Sequence, residues 1–309
     1  MGSYLTNLSP RQARLIAAVA DHGQLQIAAA SCGMTQPAAS RMLAELERVL
    51  DTRLFQRLPK GMEPTPAGVL LARHARRLVN DLGRLVEEFT DLRAGLGGAV
   101  RVGAVTGPAL GQLVPAVQAL KGEAPQVDIS IEVGPSVQLV QMLERGDLDF
   151  ALARLPSRFD QREFEFEPAR DEVVQLLVRA GHPMVGQGAV AIGALHGLPW
   201  ILQDRDAPIR RAIETAFHDE GHGSPPDVIT TSSLLAIIAL LKDSDAVAPM
   251  SQEVLDLLLN PPVAADFGRI ELNRLVTVEP YLILRARGRF LSRAAERLLS
   301  LVRDSIRQL

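Results

Sequence analysis

Cysteine is nearly absent: Cys32 stands alone among 309 residues. A single thiol excludes an internal disulfide framework and a cysteine-based zinc site, and it suits a reducing compartment. Aromatic residues are also scarce, at 4% with one Trp and two Tyr, so few stacking platforms exist for a planar ligand. No apolar run approaches the ~18 residues that a bilayer crossing requires. The first residues, MGSYLTNLSPRQARL, lack the continuous apolar stretch of a secretory leader. The expected location is cytoplasmic.

Signatures of catalysis are missing too. The chain has no GxxxxGK[ST] phosphate loop. Gly103, Gly107 and Gly111 fall four apart, which is not the dinucleotide fingerprint. His218 and His222 share a helical spacing, but Asp219 occupies the place where HExxH needs Glu, and Gly221 ends the helix. These absences lead us to expect no enzyme, no catalytic residue, no metal and no cofactor.

What is present is unevenly charged. Net charge is −3, yet residues 1–93 carry 12 Lys/Arg against 9 Asp/Glu, and the remainder carries 21 against 27. A basic head on an acidic body points to a polyanionic partner for the head. The length exceeds one compact core and suggests two or three units.

The head reads as helices. Ser9 is a cap and Pro10 a first-turn residue for a helix that Gly23 ends. A short alanine-rich helix covers 26–31. The stretch MTQPAASRMLAELE (34–47) starts a third helix with Thr35 as cap and Pro37 in its first turn. Ala39, Leu43, Leu46 and Leu50 recur at spacings of 4, 3 and 4 and form its buried stripe. Gln36, Ser40 and Arg41 are left on the slim, polar front, which small residues allow to press against a surface. Two short helices, a turn and such a third helix are the parts of a helix-turn-helix DNA reader. Leu54 and Phe55 then anchor a short strand, and Arg53, Arg57 and Lys60 surround a Pro59–Gly61 hairpin tip. That hairpin is either a wing that touches phosphates or a plain solvated turn.

From Thr65 to about Arg93 a long helix repeats Leu71, Leu78, Leu85 and Leu92 every seven residues, with Ala75, Leu82 and Phe89 four after the first three. This is a heptad seam. It serves either subunit pairing or packing on its own domain. After Gly95–Gly98, apolar strands alternate with helices: 99–105, 127–133, 149–153, 173–178, 199–202, 227–231 and 246–250. The pattern predicts a parallel sheet with crossover helices in two small α/β lobes. Ligands of such lobes sit where loops leave the strands' carboxyl ends. The candidates are Thr106, Gly107 and Pro108; Ser136 and Val137; Gln203, Asp204 and Arg210; Thr231 and Ser232; and Met250. Each hydroxyl is equally explained as a helix cap.

The run AAASCGMTQPAASRMLAELERVLDTRLFQRLPKGMEPTPAG (28–68) resembles the DNA-binding signature of LysR-type transcriptional regulators. The wing phrase looks most like the subgroup related to the galactose-binding-protein regulator. Thr35, Gln36, Pro37, Ala38 and Ser40 match the family's recognition-helix start. Leu54, Phe55 and Arg57 match the wing entry, and Thr65 and Gly68 the start of the linker helix. Gln24, Gln26, Cys32 and Pro64 depart from the pattern without removing a base-reading group.

The resemblance implies an all-α winged helix-turn-helix plus long linker helix, followed by a two-lobed α/β effector domain (type 2 periplasmic-binding-protein-like). The divisions are 1–65, 66–94 and 95–309, with lobe I at about 99–167 and 270–309 and lobe II at about 168–269. It also implies a bacterial transcription regulator that binds double-stranded promoter or operator DNA. A sugar or a small organic or aromatic acid would bind between the lobes as effector. DNA contacts fall to Thr35, Gln36, Pro37, Ser40, Arg41, Arg53, Arg57, Lys60 and Thr65. Dimerisation falls to Leu71, Ala75, Leu78, Leu82, Leu85, Phe89 and Leu92, with a homodimer or homotetramer as the assembly and no membrane partner. The rival reading, a solute- or metabolite-binding protein without a DNA-reading role, rests on residues 99–309 alone.

Overall fold

A computed structural model describes residues 8–59, 61–94 and 98–308. The head holds α1 (Pro10–His22), α2 (Leu25–Ser31), α3 (Gln36–Leu50) and an antiparallel hairpin of β1 (Phe55–Leu58) and β2 (Gly61–Pro64). Ser9 and Gln12 form a reciprocal capping box at the start of α1, and Gly23 closes it in the left-handed conformation. Leu15, Ile16 and Val19 of α1, Ala39, Leu43 and Leu46 of α3, and Leu54 and Phe55 at the hairpin make one core.

Two glycines hold that core tight. Gly61 (φ +146) packs its Cα so close to α1 that a Cβ would lie 2.4 Å from the Gly23 carbonyl oxygen. Met62 N donates to that same oxygen at 2.7 Å. At Gly68 a Cβ would lie 1.9 Å from the Leu54 carbonyl oxygen. Gly68 sits in the first turn of α4 (Pro66–Ala94), which continues from the hairpin as one long helix.

The remaining chain forms two lobes. Lobe I has a five-stranded sheet in the order β4-β3-β5-β13-β6, from β3 (Ala99–Ala104), β4 (Asp128–Val133), β5 (Phe150–Ala153), β6 (Phe164–Pro168) and β13 (Leu282–Ala286). The strands β3, β4 and β5 run parallel, and β13 is antiparallel to both its neighbours. Its helices are α5 (Val114–Glu123), entered through a single turn at Thr106–Pro108 and a π turn at Ala109–Leu113, then α6 (Ser136–Arg145) and α10 (Arg293–Gln308).

Lobe II centres on β7 (Glu172–Arg179). The remaining elements are β8 (Trp200–Leu202), α7 (Pro208–Asp219), β9 (Val228–Thr230), α8 (Leu234–Lys242), β10 (Ala248–Ser251), α9 (Gln252–Leu259), β11 (Phe267–Ile270) and β12 (Val276–Val278).

The parallel expectation holds for part of this lobe: β8 pairs parallel with β9 and bridges Val247, just before β10, in parallel through Trp200, whereas β10, β11 and β12 all pair with β7 antiparallel. Alternation along the chain does not report direction, because a strand reached by a long return can enter from either end. Pairing of β12 with β7 also moves the return from lobe II to lobe I past Val278, later than the expected 270. The strands β6 and β11 and helix α9 lie in segments to which the sequence pattern assigned no element.

Candidate DNA-reading face and effector cleft

Thr35 precedes α3 in extended conformation, yet its side chain makes no capping bond. Its hydroxyl therefore stands at the helix front beside Gln36 and Pro37, all three exposed. Arg41 is exposed and Ser40 half-buried on the next turn. The hairpin leans on this helix: Arg57 Nη2 donates to Ser40 Oγ at 3.5 Å. Glu47 supplies the joint that sequence reasoning missed. Its Oε1 accepts from the amides of Leu54 at 2.8 Å and Phe55 at 3.2 Å, and its Oε2 pairs with Arg53 at 3.2 Å. Arg53 itself stays 82% exposed, so it remains available to a phosphate.

One candidate on this face is otherwise placed. The Thr65 hydroxyl donates to Arg53 O at 2.7 Å and accepts from Gly68 N at 3.1 Å. It caps α4, so its bonding capacity is used within the chain rather than offered to DNA. Lys60 lies outside the described residues.

The heptad seam divides in two. Ala75 is fully buried in the head core and Leu71 packs against it, so the seam's beginning serves its own domain. This corrects the expectation for Ala75, whose small side chain lets α1 pack closely on α4. Further along, Leu78, Leu85 and Phe89 are exposed and Leu82 half-buried. The Leu92 side chain lies outside the described residues.

Between the lobes runs a cleft of about 1750 Å³. Thr106, Ser136 and Val137 line it from lobe I, and Gln203, Asp204, Ser232 and Met250 from lobe II. Ser232 Oγ donates to Asp204 Oδ2 at 3.2 Å. Four candidates lie off its wall. Gly107 and Pro108 are buried behind Thr106. Arg210 is buried and bonded to Glu214, the Gln203 carbonyl and Thr230; it fastens α7 to the strand ends. Thr231 Oγ1 accepts from Ser233 N at 3.2 Å in the turn before α8.

The cleft floor holds a pair that sequence reasoning also missed. Arg154 lies just past β5 and bonds Glu172 at 2.7 Å, bridging lobe I to lobe II. Arg154 Nε also donates to Glu279 O at 2.8 Å, and its backbone N donates to Ser136 Oγ at 3.1 Å. An isolated arginine at the carboxyl end of an apolar strand was the available signal. Beneath the floor, a Cβ on Gly107 would lie 2.6 Å from Glu172 Oε1, 3.0 Å from Ser251 Oγ and 3.1 Å from Glu253 Oε2. Glycine is required so that the turn can approach these oxygens. Burial pushes the Tyr281 phenol well above its ordinary pKa, and the Glu253 carboxylate adds to the shift.

Two family models match: the bacterial regulatory helix-turn-helix protein of the lysR family over residues 10–69, and the LysR substrate binding domain over residues 93–307. The chain belongs to the LysR family of transcriptional regulators. This LysR-type chain is 35% identical to the HTH-type transcriptional regulator GbpR of Rhizobium radiobacter over 79% of its length and 82% of that protein. It is 33% identical to GbpR of Azospirillum brasilense over 96% of its length and 86% of that protein. The fold is shared with ArgP from Mycobacterium tuberculosis, at TM-score 0.67 and 16% identity, with 97% and 98% of the two chains covered. CbnR, a LysR family transcriptional regulator, gives TM-score 0.63 at 22% identity, covering 96% and 99%.

The protein is thus a DNA-binding transcriptional regulator with an effector-binding domain, and the reading as a solute-binding protein without a DNA reader falls. Its relatives are regulators. No helix among the described residues is long and apolar enough to cross a membrane.

Proposed function

We propose that the front of α3 reads operator bases and the hairpin holds the DNA backbone. The carrying observation is that Thr35 and Gln36 stand exposed at the helix front with the Thr35 hydroxyl free of capping. Gln36 is suited to a bidentate contact with adenine in the major groove, worth about 1–3 kcal/mol of discrimination, and Arg41 to guanine or phosphate. Ser40, Arg53 and Arg57 position the protein on the backbone, Pro37 keeps the helix front slim, and Lys60 belongs with the backbone contacts by its place in the sequence.

So few cations per chain require several chains on one operator. The exposed Leu78, Leu85 and Phe89 with Leu82 are the proposed pairing surface of a cytoplasmic homodimer or homotetramer. The proposed units are 1–65, 66–94 and 95–309, with catalysis assigned to none.

For the effector we propose a neutral, hydroxyl-rich molecule of sugar size. The arginine on the cleft floor is already spent on Glu172 and a carbonyl. Thr106, Ser136, Gln203, Asp204 and Ser232 line the cleft beside it and suit hydroxyl groups; of the other lining cations Arg274 is paired with Asp219, and Arg211 is the one that would suit a carboxylate. A cleft of about 1750 Å³ exceeds the ~300–1,000 Å³ usual for small ligands, so the lobes close to grip one. Closure shifts the paired readers only by the ligand's differential affinity for the two poses.

The test is footprinting on the DNA upstream of the protein's own gene at two salt concentrations. We expect an interrupted palindrome whose protection weakens steeply with salt. Gln36→Ala should relax one base position on each half-site. Unchanged base preference in that variant would remove Gln36 from the reading role.

A further inference from the structure

Helix α6 is about 15 Å long over its 10 residues. Its front, Ser136 and Val137, lies on the cleft wall. Its far end is held by other elements. Arg77 of α4 donates from Nε to the Glu144 carbonyl at 3.1 Å, and Asn80 donates from Nδ2 to the Arg145 carbonyl at 2.5 Å. Arg289 donates to the Gly146 carbonyl at 2.9 Å. The last carbonyls of a helix have no partners inside it and carry its negative dipole end; the Gly146 cap serves Met142 and Leu143, and the linker helix supplies donors for the Glu144 and Arg145 carbonyls beyond them. Gly146 closes α6 at φ +83, and its missing Cβ leaves the space that the Arg289 guanidinium occupies at 2.7 Å.

Two further ties make this junction specific. Arg73 and Arg77 clamp Glu163 of lobe I at 3.3 and 3.1 Å, and Asn80 also donates to Asp147 at 3.0 Å. One turn before Asn80 on the same stretch of α4, Arg76 bonds Asp21 of α1 at 2.6 Å. Between its ends α6 is rigid, because Leu139, Val140 and Leu143 are fully buried under it. A chain of direct contacts therefore runs from Glu172 of lobe II through Arg154 and Ser136 to α6, then through Arg77 and Asn80 to the linker helix, and through Arg76 to the head.

We propose that α6 is the lever that couples the effector cleft to the DNA reader. Arg77 and Asn80 are its grip on the linker helix, and Ser136 is its contact with the cleft. The proposal rests on the cleft being the effector site. Lobe closure displaces Arg154 and the front of α6, and a rigid helix moves its far end with it. The reorientation of α4 that follows resets the pose of α3. Coupling of this kind is reciprocal, so DNA at the head must be felt at the cleft end of α6, and the lever can be tested before the effector is known.

The test uses the full chain with Cys32→Ser and Gln138→Cys, which leaves one thiol on the exposed first turn of α6 for an environment-sensitive fluorophore. The fragment upstream of the protein's own gene is added, and its binding is followed separately by anisotropy of labelled DNA. We expect DNA to shift the emission at position 138. Arg77→Met with Asn80→Ala should abolish that shift while DNA affinity stays within about twofold. A shift that persists in the double variant would overturn the proposal, since coupling would then bypass the grip. No shift in the parent despite bound DNA would overturn it as well. Loss of DNA binding in the double variant would signal a misfolded junction, and Asn80→Asp, which sets a carboxylate against Asp147 and the Arg145 carbonyl, then decides by the same two readouts.

Discussion

Glu47→Ala should detach the wing from the reading helix, and Glu47→Gln should largely spare it. The Glu47 carboxylate accepts two backbone bonds, from Leu54 and Phe55, whose side chains are 1% and 4% exposed. Bonds to a charged group contribute roughly 1.5–3 kcal/mol each, and removing the acceptor leaves both amides unsatisfied. Truncation to Ala therefore costs about 3–5 kcal/mol, a large share of the ~5–15 kcal/mol that holds a typical domain. Gln keeps a carbonyl in place at about half the strength of a charged acceptor. It also loses Arg53, but that partner is 82% exposed and worth ~0–1 kcal/mol. The Gln variant should cost about 1–2 kcal/mol.

Amide exchange of a peptide covering 53–58 reads this directly. A 3 kcal/mol loss speeds exchange by opening on the order of 100-fold. DNA affinity should fall in parallel for Ala, because Arg53 and Arg57 lose their placement. Equal effects of Ala and Gln, or normal protection in the Ala variant, would refute the assignment of Glu47 as the joint.

Arg57→Ala should weaken DNA binding by a similar factor across sequences and lower the slope of log affinity against log salt by about 1; an altered base preference in footprinting would instead make Arg57 a base reader. Gly107→Ala should destabilise the effector domain by about 1–3 kcal/mol in calorimetry, because its Cβ would meet Glu172 Oε1 at 2.6 Å and disturb the pair with Arg154, while the head's transition stays unchanged. The Tyr281 phenol, raised by burial and by Glu253, should stay protonated in the folded protein. In a Tyr4→Phe background, absorbance at the tyrosinate band should appear only with alkaline unfolding. The sign follows from linkage: above pH ~10 the unfolded chain binds fewer protons than the folded one, so stability falls as pH rises through that value. A reversible titration near pH 10 with the fold intact would contradict it.

The head was legible because its signals are local. The Ser9 cap, Pro10, the stripe Ala39–Leu43–Leu46 and the left-handed Gly23 each act within one or two turns, so order along the chain is enough to place them. The heptad count was also visible in α4. Which leucines it buries was not: α1 lies over Ala75, and periodicity cannot distinguish a partner subunit from the chain's own first helix.

The sequence by itself determined the family, the reading helix, the alternation of strands and helices, and most of the cleft's hydroxyl-bearing wall at Thr106, Ser136 and Ser232. Tertiary structure alone decided the rest. It set the antiparallel surroundings of β7, the burial of Arg210 and Gly107 behind the cleft, and the capping role of Thr65. It also joined Glu47 to the wing, Arg154 to Glu172, and Arg77 and Asn80 to the end of α6. Glu47 meets the wing seven and eight residues on, Arg154 meets Glu172 across 18, and Arg77 meets Glu144 across 67. In each case the two partners sit on different elements, so the folded backbone, rather than the local pattern, selects the partner.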